Sequence, residues 1–511
     1  MGLKDTIKHS IKNWLEIEEI DNLNIKINNE LDFVSNAAKN TIWYRGDANE
    51  LQQFYAALKS KRRIEDIKFW GAAPSTGMEI QKRHTGIPGT IVDTLTEIVA
   101  ADLYGFTFED NVREAEWSEI LEANNDDNNF MKMVKRAISC AQYIGDGAFK
   151  ISISTDVSDQ PIIEFWSGEK IDFTFRRGRV DEIIFKSIKY QDLKKYELHE
   201  IYGYGYIRYK LLYEDKEVPI NTVESLANMQ SVTFGGAEID EEGNLVKRGD
   251  YMMAVPVING NSNRWDGRGQ SWFDRKVDNF DSLDEIWSQW MDAVRSGRSK
   301  TYIPSNLIPR DPESGRLKKP NSFDNRFISI NADMSEGAQN RIVTDAPVIQ
   351  YDAYMAAYIT ALDLCLQGII SPSTLGIDTK KLDNAEAQRE KEKTTLYSRQ
   401  KLVDLVSEVL PRLINTACHV RATMNSQEFA DFNVTVNFGE YANPSFESQI
   451  ETIGKGRMQG VLSIEAAVEE LYGDSKDDKW KKEEIEKLKA ESGAVEMTEP
   501  AVNFDIDGLN E

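Results

Sequence analysis

The stretch SWFDRKVDNFDSLDEIWSQWMDAVRS, residues 271–296, holds no proline or glycine and stops at Gly297. Phe273, Phe280, Trp287 and Val294 recur every seven residues, and Leu283 and Trp290 fill the adjoining seam. That period predicts one long amphipathic helix. Ser271 with Asp274 reads as a capping box, and Gly297 as the C-terminal stop. At 1.5 Å per residue the helix spans about 40 Å. Asp274, Asp278, Asp281, Glu285 and Asp292 take its other faces. So narrow and aromatic a seam suits packing against neighbouring long helices, although a monomer's core helix has the same pattern.

The chain changes character just beyond. Residues 299–347 hold Pro304, Pro309, Pro312, Pro320 and Pro347, so this stretch is no helix. Lys300, Arg310, Arg316, Lys318, Lys319, Arg326 and Arg341 make it less acidic than its surroundings. Helix resumes over Asp352–Gln367, with Met355, Ile359, Leu362 and Leu366 on one face and Gly368 as its stop. Two helices therefore bracket a protruding insertion whose ends return to one place, which predicts an antiparallel pair. A loop follows over Ser371–Leu382. A very long helix then runs from the cap Asp383, boxed by Glu386, to about Thr423. Leu402, Leu405, Val406, Val409, Leu413, Ile414 and Ala417 form its buried stripe, and Pro411 predicts a kink near Ser407–Leu410. Phe432–Phe438 alternates as a strand. Ser463–Tyr472 and Lys476–Ala490 read as short helices, and Ser492–Glu511, acidic with no Lys or Arg, as a disordered tail.

Towards the N-terminus, Ile7, Ile11, Trp14 and Leu15 form a short amphipathic arm. Residues 40–145 are mostly helical, with good stretches at Glu50–Leu58, Ile91–Ala101 and Asn129–Ala141. The period then becomes that of strands at Ala148–Ser154, Ile162–Trp166, Ile171–Phe175 and Val180–Ile188, the last two joined at Gly178. Tyr202, Tyr204 and Tyr206 fit half-buried strand positions better than a base-stacking platform. Residues 40–265 read as an α+β domain, and the whole chain as α+β, mainly helical.

Composition narrows the function. A length of 511 residues suggests about three to four domain-sized units. No run approaches the roughly 18 apolar residues of a membrane span. Met1–Ile20 lacks the pattern of a secretory signal, and Cys140, Cys365 and Cys418 are too few and scattered for a disulfide scaffold. These traits predict a soluble intracellular protein. The net charge of −24 is the reverse of a DNA-gripping footprint. Either the chain ignores nucleic acid, or it touches it without holding on.

His9, His84, His199 and His419 form no metal-ligand spacing with the cysteines, so no metal site is expected. There is no P-loop and no Gly-x-Ser-x-Gly elbow. Glu390-Lys391-Glu392-Lys393 reads as a solvated helix face rather than a nuclease pair. Arg45-Gly46-Asp47 reads as a turn, and Met1-Gly2-Leu3-Lys4-Asp5-Thr6 matches the loose myristoylation pattern only as many chains do. No enzyme is evident, and no cofactor is called for.

In order and spacing, five short stretches resemble one family. They are Trp43-Tyr44-Arg45-Gly46-Asp47, Gly145-Asp146-Gly147-Ala148-Phe149-Lys150, Gly267-Arg268-Gly269-Gln270-Ser271, Leu375-Gly376-Ile377-Asp378 running into Asn384-Ala385-Glu386-Ala387, and Gly460-Val461-Leu462-Ser463. The family is the portal, or head-to-tail connector, proteins of tailed bacteriophages, of the type in phages of Gram-positive hosts. The likeness covers about residues 35–490.

The resemblance implies a ring, usually of twelve subunits, at a unique capsid vertex of the virion, assembled in the host cytoplasm. Through it double-stranded DNA is packaged by a separate terminase ATPase and later ejected. It implies an N-terminal arm (1–39), a wing (40–270 and 384–454), stem helices (271–298 and 348–368), a clip (299–347), a tunnel loop (369–383), a crown (455–491) and a tail (492–511). Ser373, Thr374, Asp378, Lys380 and Lys381 would face the channel; Lys380 and Lys381 either touch phosphates without reading sequence or face protein carboxylates. Arg310, Arg316, Lys318 and Lys319 would dock the motor and then the head–tail adaptor. Phe280, Trp287 and Trp290 would form the stem contact between subunits. Major capsid and scaffold proteins are the other expected partners, with no membrane. The competing readings are a metal-dependent DNA-processing enzyme, such as a nuclease, and another phage head structural protein.

Overall fold

The structure is a computed structural model that describes residues 31–62, 68–73, 80–127, 129–227, 229–239, 245–304, 308, 310–316, 327–330, 342–345, 348–377, 385–439, 446–472 and 478–491. The chain divides into two compact units, Met1–Asn437 and Phe438–Glu511. Helix and sheet are mixed, as α+β requires. No described helix is long and apolar enough to cross a membrane.

The first unit opens with helices α1 (Phe33–Arg45) and α2 (Ala48–Arg62). Gly46 ends α1 in the left-handed region (φ 71°), and Asp47 accepts from the amides of Asn49 and Glu50 to start α2. The Arg-Gly-Asp tripeptide is thus a helix-to-helix turn. Helices α3 (Ile87–Asp102), α4 (Asn111–Asp127) and α5 (Phe130–Tyr143) follow, with strand β1 (Leu103–Phe108) between the first two. Ile91 and Leu95 of α3 are buried, and Val134 and Ile138 of α5 line one apolar pocket with Leu405, Val406, Val409 and Leu410 of the long helix.

A three-stranded sheet packs on these helices, and a larger meander packs on it in turn, as where Trp166 meets Phe185. Strands β2 (Asp146–Ser152) and β3 (Ile162–Ser167) form a three-stranded sheet with β12 (Ala254–Ile258) on the other side of β2. An antiparallel meander runs through β4 (Ile171–Arg176), β5 (Arg179–Gln191), β6 (Lys194–Gly203), β7 (Tyr206–Tyr213) and β8 (Lys216–Val218), with β9 (Val232–Thr233) also on β7. Strands β10 (Glu238–Ile239) and β11 (Leu245–Lys247) pair as a short ribbon. The tyrosines fall as strand chemistry dictates: Tyr202 and Tyr206 are buried, and Tyr204 sits at the turn under the Arg248 guanidinium, 3.7 Å away.

Helix α6 (Val277–Ser296), strands β13 (Lys300–Pro304), β14 (Phe327–Ile330) and β15 (Val343–Asp345), and helix α7 (Tyr351–Leu366) come next. The long helix α8 (Ala385–Met424) is continuous through Pro411, whose carbonyl accepts from Asn415 Nδ2, and β16 (Val434–Phe438) pairs with β1. Cys418 is buried. His419 is half-buried, sandwiched between Tyr251 and Phe429. The second unit holds α9 (Phe446–Met458), which the sequence reading did not anticipate, with α10 (Ile464–Tyr472) and α11 (Asp478–Glu491). The amphipathic arm and the acidic tail lie outside the described residues.

Candidate functional site

The helix expected over Ser271–Ser296 starts later than its sequence suggests. A 3-10 turn covers Phe273–Arg275, and α6 begins at Val277. Ser271 and Asp274 do not cap each other. Ser271 Oγ accepts from the Phe273 amide and donates to Tyr143 O, while Asp274 accepts from Asn36, Asn40 and Gln270. Long-range side-chain partners displaced the local cap.

These bonds root α6 in a buried polar node. Asn40 Nδ2 also donates to Ser271 Oγ at 3.0 Å, and the Trp272 amide to Gln142 O at 2.9 Å. Lys39 donates to Asn36 Oδ1 at 2.7 Å, and burial pulls its ammonium pKa down to about 8 against the opposing pull of Asp274. Beside them, Arg268 (7% exposed) grips Asp146 (0% exposed) in a two-pronged ion pair at 2.9 and 3.1 Å. Its remaining donors reach Gly168 O, Ile171 O and Asp172. Burial pushes the Asp146 carboxyl up, and Arg268 with the Gly269 amide hold it back. The flanking glycines are a steric need: a Cβ on Gly269 would sit 1.9 Å from Gly145 O, and one on Gly145 2.6 Å from Gly269 O. Two of the short stretches quoted above, around Asp146 and around Arg268, are therefore two halves of one buried clasp.

From this root α6 and α7 run antiparallel. Lys276 and Asn279 donate to Leu364 O at one end, Trp287 meets Tyr358 and Trp290 meets Tyr354 midway, and Gly297 packs on Ile349 at the other. Beyond Gly297 the chain enters a small sheet, in which β13 lies between β14 (parallel) and β15 (antiparallel).

The opposite face of α6 is covered by the α2–α3 connection, residues 68–73 and 80–86. Asp281 accepts from the amides of Phe69 (2.8 Å) and Trp70 (3.4 Å). Asp284 (0% exposed) accepts from Trp70 Nε1, Thr85 N and Thr85 Oγ1, with His84 Nδ1 2.7 Å away. Ser288 Oγ accepts from the Arg83 amide. Burial raises the Asp281 carboxyl to about 6.

The residues singled out from sequence do not form one cluster. Phe280 (1% exposed) packs on Trp43 and Phe273 inside its own chain, so it has no area to offer a neighbouring subunit. Trp287 and Trp290 are half-buried, and their rings lie against each other and against α7 of the same chain. Arg310 and Arg316 are exposed at a turn where the Asp311 amide donates to Arg316 O. Ser373 pairs with Ser371, and Thr374 with Thr395 of α8, 3.0 Å apart. Lys318, Lys319, Asp378, Lys380 and Lys381 lie outside the described residues. Sequence reasoning missed Asn36, Asn40, His84, Asp284 and the Asp146–Arg268 pair. One signal was available: an acid and a base, each set between two glycines.

No family model matches the chain, and no curated protein matches it. Among solved structures it is similar to a chain from the virion of a native gene transfer agent (GTA) particle, at 10% identity and TM-score 0.38, covering 78% of this chain and 89% of that one. It is also similar to a chain from the neck of a native GTA particle, at 11% identity and TM-score 0.41, with 76% and 89% covered.

Proposed function

We propose that the chain is the protomer of a phage-type portal, whose copies close head to tail around an axis and leave a hole for double-stranded DNA during packaging and ejection. The antiparallel α6–α7 pair carries this reading: it is rooted in a buried node at one end and leads into a small sheet at the other. Motif order along residues 35–490 supports it from the sequence side. In this reading α6 and α7 are the stem, and residues 299–347 are the clip. There Arg310, Arg316, Lys318 and Lys319 meet the terminase motor and later the head–tail adaptor. Residues 369–383 are the tunnel loop, on which Lys380 and Lys381 make weak, sequence-blind phosphate contacts. Capsid and scaffold proteins surround the ring.

The charge fits such a task. A conduit must let phosphates slide, and every Lys or Arg that holds one adds salt-dependent grip. A protomer at −24 keeps a polyanion moving and centred. Native mass measurement and negative-stain imaging of the full chain test the proposal. The expected result is an annulus of about a dozen copies with a central hole; a monomer at every concentration and salt overturns it.

A further inference from the structure

We propose that Asp281 and Asp284 form a proton-sensitive clasp, which holds residues 68–73 and 80–86 on α6 and loosens its 68–73 arm when Asp281 takes a proton. The two carboxylates stand one helical turn apart on the same face of α6 and are both buried. Together they face Phe69 N, Trp70 N, Trp70 Nε1, Thr85 N, Thr85 Oγ1 and His84 Nδ1, all from that one connection. Three more bonds join α6 to this segment: Ser288 with Arg83 in the middle, Lys68 to Asp278 at 2.8 Å near one end and Arg295 to Gln81 at 2.9 Å near the other. The buried centre of the grip between two elements some 200 residues apart in sequence thus passes through a pair of acids, with more exposed bonds at either end.

The two halves of the clasp differ in backup. Asp284 has three donors besides His84, two of them from Thr85. Asp281 has two, and each of its oxygens serves one amide, so a proton on either oxygen takes away its charge and leaves a hydroxyl, a much weaker acceptor, facing one of those amides. The charged groups around Asp281 are Lys68 on the connection and Asp278 and Asp284 on α6, with the Tyr55 phenol of α2 nearby; Tyr358 of α7 faces Asp284. Lys82 is turned away from the acids, onto the carbonyls of Phe69, Trp70 and Ala72, where it ties the two arms of the connection together. Burial and the Asp284 charge both favour the protonated form of Asp281, against Lys68 and the two amides, and bring its titration up to about 6. A carboxylate in water would titrate well below this. The clasp therefore changes state in mild acid, before ordinary carboxylates respond.

This inference does not depend on ring formation. It is tested by amide hydrogen exchange on the full chain at about pH 5 and about pH 7.5, each corrected for intrinsic exchange. Losing one charge-assisted bond predicts about tenfold weaker protection of residues 68–73 at the lower pH, with strand β2 unchanged. Asp281→Asn is expected to show the weaker protection at both pH values. Equal protection of the wild-type arm at both pH values overturns the clasp, as does a loss that spreads equally to β2, since that is global acid unfolding. If Asp281→Asn does not fold, the wild-type comparison decides by itself. If it folds and keeps the wild-type pH dependence, Asp281 is not the switch.

Discussion

Replacing Arg268 by Leu isolates the clasp that roots α6. The guanidinium has no solvent to fall back on, and neither does its partner, since Asp146 is fully buried. Removing the cation leaves Asp146 with the Gly269 amide at 3.1 Å as its remaining donor, and strips Gly168 O and Ile171 O of the donors that Arg268 supplied. Breaking a buried pair from one side costs about 3–5 kcal/mol, because an uncompensated charge stays behind. The unpaired carbonyls keep the cost at the upper end of that range. Urea unfolding followed by tryptophan fluorescence reads the loss. Two further legs identify its cause. The double change Asp146→Leu with Arg268→Leu removes both charges, so it is expected to cost less than the two single changes summed, by about 2 kcal/mol or more. The pH dependence supplies the other leg. Without Arg268, the Asp146 carboxyl rises further above its unfolded value. A raised acid destabilises the fold most above its folded pKa, so the penalty of Arg268→Leu shrinks as pH falls and Asp146 takes up a proton. A single-mutant cost under about 1 kcal/mol, or additive single changes, would refute the view that this pair secures the root of α6.

Other perturbations follow from the same geometry. Trp287→Ala is expected to cost the protomer about 2 kcal/mol in chemical unfolding, less than a fully buried tryptophan, because its ring packs on Trp290 and Tyr358 of its own chain; unchanged protomer stability with loss of an assembled state would show that the contact is between subunits instead. Lys39→Met is expected to raise stability at pH 7. A base whose folded pKa is lowered to about 8 destabilises the fold below that value, and the wild type regains the difference between about 8 and 10.5. The gain, up to about 3 kcal/mol, should therefore fade in alkaline unfolding curves; a gain independent of pH assigns it to packing. Leu193, fully exposed (104%) at φ 61° in the β5–β6 turn, is strained where it stands. Leu193→Gly is expected to add about 1 kcal/mol in thermal or urea unfolding, and a loss would mean that the side chain has an intramolecular role.

The helix pair was legible because aromatic spacing and its Gly and Pro boundaries act locally. Trp287, Trp290, Gly297 and Pro304 report on their own neighbourhood, and the strands declare themselves by alternation at Ile163 and Phe165. What failed was anything decided by distant partners. Ser271 and Asp274 looked like a cap, yet α1 and α5 bid more strongly for both side chains than the helix amides did. Asp281 was assigned to a polar face of α6, and the connection 200 residues earlier brought the donors that bury it. Period put Phe280 on the apolar seam of α6 and the resemblance put that seam between subunits, but period locates a face and does not say whether the same chain or another covers it.

The disposition of charge follows from the same contrast. Several basic side chains are spent inward: Arg268 on Asp146, Lys150 on Glu164 and Glu200, Lys82 on backbone carbonyls and Arg399 on Asp102. Along α6, once α7 and the α2–α3 connection (whose Lys68 pairs with Asp278) have taken their faces, the outward ridge is Ser282, Glu285, Gln289, Asp292 and Ser296, which are acids and small or neutral polar groups without one base. Such a ridge has nothing with which to clamp a phosphate, and its field pushes a polyanion away at distances within the roughly 8–10 Å screening length. If copies close as proposed with this ridge inward, raising salt should change DNA passage little, because there are few held counterions to exchange. A steep salt dependence of passage would mean that bases line the hole, and would place α6 elsewhere in the ring.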